Sequence, residues 1–167
     1  MTPSLDIAER SEFYAVVIRT DYDDEQAWEV VKKALLDPAG PSEVPSTPCI
    51  VEDPAWAGAD TDQILAAIAA HDDLSEFLSV VFVADSLTMR AGHHALVAVT
   101  TLTREDCTDD AEWATVVEFG REFRTVPLGV HEIHANLELA NMDFEEFSAA
   151  AHEDPEGVFR SWWADEG

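Results

Sequence analysis

The stretch LSVVFVA, residues 78–84, decides the fold of this chain, because it is the clearest predicted β-strand. A second, nearly continuous apolar run, FYAVVIR, occupies residues 13–19. Such runs are typical of strands that are buried on both faces, as in parallel sheets. Further strands are predicted over residues 49–52, 95–102 and 122–126.

Helical patterns alternate with the first strands. Helices are predicted over residues 24–37, 61–70 and 129–140, and from Asp143 onward. The first of these helices places Trp28, Val31 and Leu35 on one face. Alternation of strands and helices favours parallel pairing in the first half of the chain, while the later strands are free to run antiparallel. We therefore predict an α/β fold: a single domain with a mixed sheet of about five strands and helices packed on it.

The length of 167 residues favours one domain over residues 1–167, with its core at about 13–163. Residues 38–48 contain four prolines, Pro38, Pro41, Pro45 and Pro48, and are predicted to form an extended loop. That loop is either a binding loop or variable surface. Residues 103–113 are acidic and polar and are predicted to form a second surface loop.

The charge of the chain limits its partners. Thirty-five acidic residues oppose nine basic ones, giving a formal net charge of -26, while the apolar fraction of 47% is that of a folded protein. Nucleic acids and anionic membranes attract lysine and arginine, so both are improbable partners. A basic protein, a cationic ligand or bound metal ions remain compatible with this charge.

The N-terminal residues and the cysteines predict a cytoplasmic location. MTPSLDIAERSEF lacks the basic start and apolar run of a signal peptide, and no apolar stretch approaches the ~20 residues of a membrane span. Cys49 and Cys107 form no C-x-x-C pair, which excludes a cysteine zinc site, and both are expected to be free thiols.

Four aspartates follow predicted strands: Asp21 and Asp23 after the first, Asp53 after the second and Asp85 after the third. Ligands of open parallel sheets bind at the carboxyl ends of the strands. If these carboxylates converge there, they could hold Mg²⁺, which prefers a few carboxylates and water. The alternative is that each aspartate caps a helix or forms a turn.

A second candidate metal site lies on the predicted helix at 129–140. His131, His134 and Glu138 stand at positions i, i+3 and i+7, which share one helical face. The sequence HEIH is not the H-E-x-x-H of zinc hydrolases, because the histidines are one residue too close. The alternative is a surface helix with two ordinary histidines.

No motif of the chain predicts a catalytic nucleophile. A Gly-x-Ser-x-Gly elbow and a glycine-rich phosphate loop are both absent from the sequence. The acidic neighbours of Cys107 raise the pKa of a thiol, and Cys49 has no evident base. Near the C-terminus, Phe159, Trp162 and Trp163 either close the core or form an exposed docking patch.

Three segments have a familiar order and spacing: RTDYDDEQAW at 19–28, VEDPAWAGADTDQIL at 51–65 and LANMDFEEFSAAAHEDPEGVFRSWW at 139–163. Together they resemble a family of small acidic actinobacterial proteins that is a domain of unknown function. The resemblance spans about residues 13–163 and implies a cytoplasmic single-domain protein. It brings no catalytic residues. The family's region before Asn141 lacks paired histidines, so His131 and His134 depart from its pattern.

Two functions are compatible with these observations. The first is a non-enzymatic binding or accessory protein, immunity-like or regulatory, that engages a basic protein partner and needs no cofactor. The second is a divalent-metal-dependent enzyme, with Mg²⁺ as the possible metal, that uses the carboxylates at the strand ends. The charge and the lack of a nucleophile motif favour the first.

Overall fold

The computed structural model describes residues 15–36, 48–139 and 142–160. Its strands are β1 (Val16–Arg19), β2 (Cys49–Val51), β3 (Val80–Ala84), β4 (Leu96–Thr100), β5 (Glu122–Thr125) and β6 (Val158–Phe159). Its helices are α1 (Glu25–Leu36), α2 (Thr61–Ala70), α3 (Asp72–Phe77), α4 (Ser86–Arg90), α5 (Asp110–Val116), α6 (Val130–Glu138) and α7 (Phe144–Glu153). Short 3₁₀ turns lie at Pro54–Trp56, Arg104–Asp106 and Pro127–Gly129.

The strands form one mixed sheet in the order β2-β1-β3-β4-β5-β6. Strand β1, next to the edge strand β2, runs parallel to both neighbours, with Val17 opposite Ile50 on one side and Phe82 on the other. The pairs β3–β4 and β4–β5 are antiparallel, and β6 is parallel to β5. The predicted α/β fold is confirmed. Among the described residues the sheet has six strands rather than about five, because the two-residue strand β6 was not predicted.

Apolar cores lie on both faces of the sheet, which explains why the strand sequences lack polar alternation. In β1, Val17 points into a core with Trp28 of α1, and Phe147 of α7 belongs to the same core. The next residue, Ile18, points into a second core with Ile64 of α2. Since every residue of β1 and β3 is buried, both strands read as continuous apolar runs.

Helix boundaries follow the capping signals of the sequence. Helix α2 begins with a capping box in which the Gln63 amide donates to Asp60 Oδ1 at 2.8 Å and the Asp60 amide donates to Gln63 Oε1 at 2.9 Å. At the start of α7 the Asp143 amide donates to Glu146 Oε2 at 2.8 Å. The predicted starts of both helices are confirmed.

The predicted loop at 103–113 is wrong in part. This segment contains the 3₁₀ turn Arg104–Asp106 and the first residues of α5. Asp109 caps α5 by accepting a hydrogen bond from the Glu112 amide at 2.8 Å, so acidic residues that suggested a loop in fact begin a helix.

Two predictions fall largely outside the described part of the chain. Of the proline-rich loop at 38–48, only Pro48 is described, and it is buried. Of the C-terminal aromatic cluster, Phe159 is described: it is 2% exposed and packs edge-on against Phe147 in the core. Trp162 and Trp163 lie outside the described residues. None of the described helices is long and apolar enough to cross a membrane.

Candidate functional site

The carboxyl ends of β1 and β3 are where an α/β sheet of this topology usually binds ligands. The chain leaves β1 for β2 on one side and returns to β3 on the other, which makes the β1–β3 boundary the topological switch point. Here hydrogen bonds join the two strand ends. Thr20 donates to the Ala84 carbonyl from its amide at 2.9 Å and from Oγ1 at 3.3 Å, and the Gly58 amide donates to the Thr20 carbonyl at 2.9 Å.

Asp85, the residue after β3, is held by two partners. Its carboxylate caps α4 by accepting from the Thr88 amide at 3.1 Å. Arg124 of β5 binds both oxygens, with Nη1–Oδ1 at 3.0 Å and Nη2–Oδ2 at 2.7 Å. Burial raises the pKa of the Asp85 carboxyl, but the hydrogen bonds from Arg124 and Thr88 and the charge of Arg124 outweigh it, so the pKa lies below its usual value. Asp85 therefore stays ionised as a structural anion.

The other strand-end aspartates also bind neighbouring backbone. Asp21 accepts from the Asp23 amide at 2.8 Å, and Asp53 accepts from the Ala55 amide at 3.0 Å to cap a 3₁₀ turn. Asp23 is exposed, and the start of α1 is capped instead by Asp24, which accepts from the Ala27 amide at 3.0 Å. Of the two alternatives for these aspartates, caps and turns describe Asp21, Asp53 and Asp85. Convergence on Mg²⁺ is not found, because among the described residues no three His, Cys, Asp or Glu side chains are placed to hold a metal ion.

Arg19, which the sequence reasoning missed, is the buried cation of this edge. It is 3% exposed, and its guanidinium lies 4.2 Å from the ring centre of Tyr22 and 5.0 Å from that of Trp28. Its Nη2 pairs with Glu25 Oε1 at 2.7 Å, and its Nε donates to the Asp21 carbonyl at 2.8 Å. The signal in the sequence was an arginine at the end of an apolar run with aromatic residues shortly after it.

Glu52, after β2, completes this cluster. It accepts hydrogen bonds from Trp28 Nε1 and from Lys32 Nζ, the latter at 3.2 Å. Burial raises the pKa of Glu52, but these hydrogen bonds and the charges of Lys32 and Arg19 outweigh it, and the pKa is lowered. Segments 19–28 and 51–56 thus meet at the carboxyl edge, with each described cation of the cluster beside a carboxylate.

The hydroxyl of Tyr22 lies within the same cluster. It is buried and has no hydrogen-bond partner among the described residues. Burial raises the pKa of Tyr22; Arg19 opposes this, and the charges of Asp53, Glu52 and Glu25 add to it. Tyr22 is therefore a neutral aromatic support for the Arg19 cation.

The histidines of α6 lie on a helix, as predicted, but they do not face solvent. His131 is 3% exposed and His134 is 0% exposed, so the interpretation as ordinary surface histidines is wrong. A ring nitrogen of His131, Nε2, lies 3.1 Å from the Leu35 carbonyl at the end of α1. Burial lowers the pKa of His131, with this hydrogen bond opposing, so the ring is neutral at pH 7. Glu138, third member of the predicted metal site, is half-buried, and the three form no metal-binding group.

Both cysteines are free thiols in the structure, as predicted. Cys107 is buried, and burial together with the charge of Glu112 raises the pKa of its thiol. A raised pKa leaves the sulfur protonated and a poor nucleophile at neutral pH. Cys49 begins β2 and is half-buried.

A pocket of about 590 Å³ opens at the opposite end of the sheet, where β3 begins and β4 ends. Elements from both layers form it: α2 and α3 on one face, and the end of α6 and the start of α7 on the other. Its carboxylates are Glu76, Asp106 and Asp143, and no lysine or arginine is among the described residues that line it. Sequence reasoning missed the pocket because its wall comes from segments that are far apart in the chain.

A cluster of acidic residues adjoins this pocket. We call it the acidic patch and define it as Glu118, Asp143, Glu145 and Glu146. Phe119, after α5, packs against His152 in the last turn of α7 with ring centres 5.0 Å apart, which holds the segment that carries Glu118 against this helix. The pKa of Glu145 is raised by burial, against a backbone hydrogen bond that lowers it, and the charges of Asp143, Glu146 and Glu118 raise it further.

Comparison with known proteins identifies the family of the chain. The family model for a domain of unknown function, DUF6924, matches residues 14–162, so the chain belongs to that family. No curated protein matches the chain. The expected membership of a domain-of-unknown-function family is thereby confirmed, over almost the same residues as the resemblance in the sequence.

Proposed function

We propose that this protein is a non-enzymatic binding protein that presents the acidic patch to a basic protein partner, in an accessory, regulatory or immunity-like role. One observation carries the proposal: the contact between Phe119 and His152 holds the segment with Glu118 against α7, whose first turn carries Glu145 and Glu146 directly after Asp143. Burial raises the pKa of Glu145, a backbone hydrogen bond opposes this, and the charges of the other three carboxylates raise it further. Like charges held together in this way destabilise the isolated fold. A cationic partner converts that repulsion into attraction.

The cations of the chain are arranged in keeping with this role. Ion pairs with carboxylates are formed by Arg19, Lys32, Arg104, Arg121, Arg124 and Arg160. None of these pairs includes a carboxylate of the acidic patch. Within the described parts of the chain, the patch is therefore left without an internal lysine or arginine to neutralise it.

Complementary charge would act mainly on recognition. An uncompensated acidic surface steers a basic protein toward itself and speeds association, an effect that weakens as salt screens it. Three carboxylates of the carboxyl edge, Glu25, Glu52 and Asp85, are less suited to this task, because they already pair with cations of the same chain.

The test compares two variants with equal changes in charge. The first carries Glu118→Gln, Glu145→Gln and Glu146→Gln in the acidic patch. The control carries Asp23→Asn, Asp24→Asn and Glu29→Gln, which are exposed residues at and near the start of α1. Proteins captured from a lysate by the wild type at low salt are purified, and their dissociation constants are measured at two salt concentrations.

We expect a basic partner to bind the patch variant about 10-fold or more weakly than the control, because several charge pairs are lost. Binding to the wild type should also weaken at high salt. Equal affinity for the two variants, or an affinity that does not change with salt, would contradict the proposal.

A further inference from the structure

We infer that the pocket between β3, β4 and the start of α7 binds a small aliphatic amine that carries two or more cationic groups. Its volume of about 590 Å³ lies within the ~300–1,000 Å³ of small-molecule sites. Apolar side chains from four segments form much of its wall, among them Leu65, Ile68, Leu74, Leu78, Leu137 and Phe144. Such a wall favours a ligand with a hydrocarbon chain.

The described charged residues of the pocket lining are all carboxylates, so they favour a cationic ligand. Glu76 comes from α3, Asp106 from the turn before α5, and Asp143 from the start of α7, so carboxylates reach the pocket from three directions. None of the three forms an ion pair with a lysine or arginine in the described chain. A phosphate or carboxylate ligand would meet these charges without a cation to offset them, whereas an ammonium group would be attracted.

The hydroxyl groups of the threonines that line the pocket already form hydrogen bonds. Thr101 Oγ1 donates to the Leu78 carbonyl, and Thr100 Oγ1 accepts from the Leu102 amide at 3.2 Å. Asp106 is held in place by the amide and Oγ1 of Thr103, at 2.9 and 3.1 Å. The carboxylates are therefore the polar groups best placed to meet a ligand, and one of them is already fixed in orientation.

These features together describe a flexible chain with an apolar stem and separated charges. Methylene groups would lie against the leucines while the ammonium groups reach the carboxylates, as lysine side chains do on protein surfaces. This assignment does not depend on the proposed basic partner. It also makes no use of Glu118, Glu145 or Glu146, the residues changed to test that partner.

Calorimetric titration of the full chain with the triamine spermidine tests the inference. The pocket variant carries Glu76→Gln and Asp106→Asn, and the matched control carries Glu145→Gln and Glu146→Gln, which lie outside the pocket lining. A third variant, Leu102→Lys, places a cation at the pocket from a residue that is 40% exposed and so tolerates a polar side chain. Thermal melts establish that each variant is folded.

We expect saturable binding of one triamine, weakened about 10-fold or more in the pocket variant and in Leu102→Lys and unchanged within twofold in the control. Hexaamminecobalt(III), which has the charge without the hydrocarbon chain, should bind more weakly than spermidine. Equal weakening in pocket variant and control, or equal affinity for both cations, would show a general charge effect and overturn the site. Binding of a lysine-rich peptide without binding of the free triamine would overturn the small-molecule assignment.

Discussion

The two ends of the sheet differ in whether their charged side chains form ion pairs. At the carboxyl edge, Arg19 and Arg124 are paired with Glu25 and Asp85, and the strand ends are joined by backbone hydrogen bonds. At the other end, a pocket is lined by carboxylates that form no ion pair within the described residues. The chain has nine basic residues, and three of them, Arg19, Lys32 and Arg124, pair with carboxylates at the carboxyl edge.

The largest effect should come from removing the buried cation. Arg19→Met loses the two aromatic contacts and the hydrogen bond to the Asp21 carbonyl, and we expect the free energy of unfolding to fall by about 2 kcal/mol. Urea denaturation measures this change. Lys33→Met is the control, because Lys33 is exposed on α1, the helix whose Glu25 and Trp28 contact Arg19, and the substitution should change stability by less than about 0.5 kcal/mol. Equal effects would remove the distinction between a structural and a surface cation.

A matched pair of caps compares the two ends directly. Asp85 and Asp143 both precede a helix, and asparagine caps helices as well as aspartate does. Asp85→Asn loses the charge pair with Arg124 and should destabilise by about 1 kcal/mol. Asp143→Asn loses the repulsion from neighbouring carboxylates together with the attraction of the helix N-terminus, and these oppose each other, so it should stay within about 0.5 kcal/mol of the wild type. The comparison fails if the two substitutions have the same effect in urea.

The pH dependence of Glu145→Gln sharpens the comparison further. The pKa of Glu145 is raised in the folded protein above its ordinary 4.5, so the folded state binds more protons and stability falls as pH rises through this range. The variant should therefore be more stable than the wild type at pH 7, by about 0.5 kcal/mol because solvent screens the patch. Below about pH 4 the difference should vanish, because Glu145 is then protonated in both states. A difference that persists at pH 3.5 in thermal melts would contradict this.

The smallest effect is that of salt on the whole chain. Screening should relieve repulsion among the unpaired carboxylates and raise the melting temperature by about 1 °C between low and moderate ionic strength. The variant Glu145→Gln/Glu146→Gln should show a smaller rise, since part of the repulsion is already removed. Calorimetric melts of both proteins at matched pH measure the difference, and identical rises would show that the acidic patch adds nothing to it.

The fold was predictable where local signals and burial agree. β1 and β3 are buried on both faces, so their sequences are nearly uninterrupted apolar runs, and Asp60 with Gln63 marks the start of α2. Helix α4 has five residues, too few to show helical periodicity. Strand β6 has two residues and exists through its pairing with β5, including the Val126 amide bonded to the Phe159 carbonyl at 3.0 Å. Such tertiary contacts leave no local pattern.

The candidate site was harder to predict for a related reason. The sequence placed the aspartates after the strands but did not show which group each carboxylate would bind. Asp85, for example, pairs with Arg124, which is 39 residues away in the chain. The sequence likewise placed His131 and His134 on a helix but did not show that both side chains are buried. The pocket joins α2, α3, β4, α6 and α7, so no single segment carries its pattern.

The topology of β1 also has a kinetic consequence. β3 and β4 are antiparallel neighbours joined by a short connection, whereas β1 reaches β3 only across α1, β2, α2 and α3. Because pairing of distant segments costs more loop entropy, we expect the β3–β4 pair to form before β1 enters the sheet. Arg19→Met should then speed unfolding and leave the folding rate almost unchanged in stopped-flow urea jumps. The carboxyl edge around Arg19 would then form last during folding. Because its contacts are absent from the folding transition state, they would slow unfolding and set the lifetime of the folded protein.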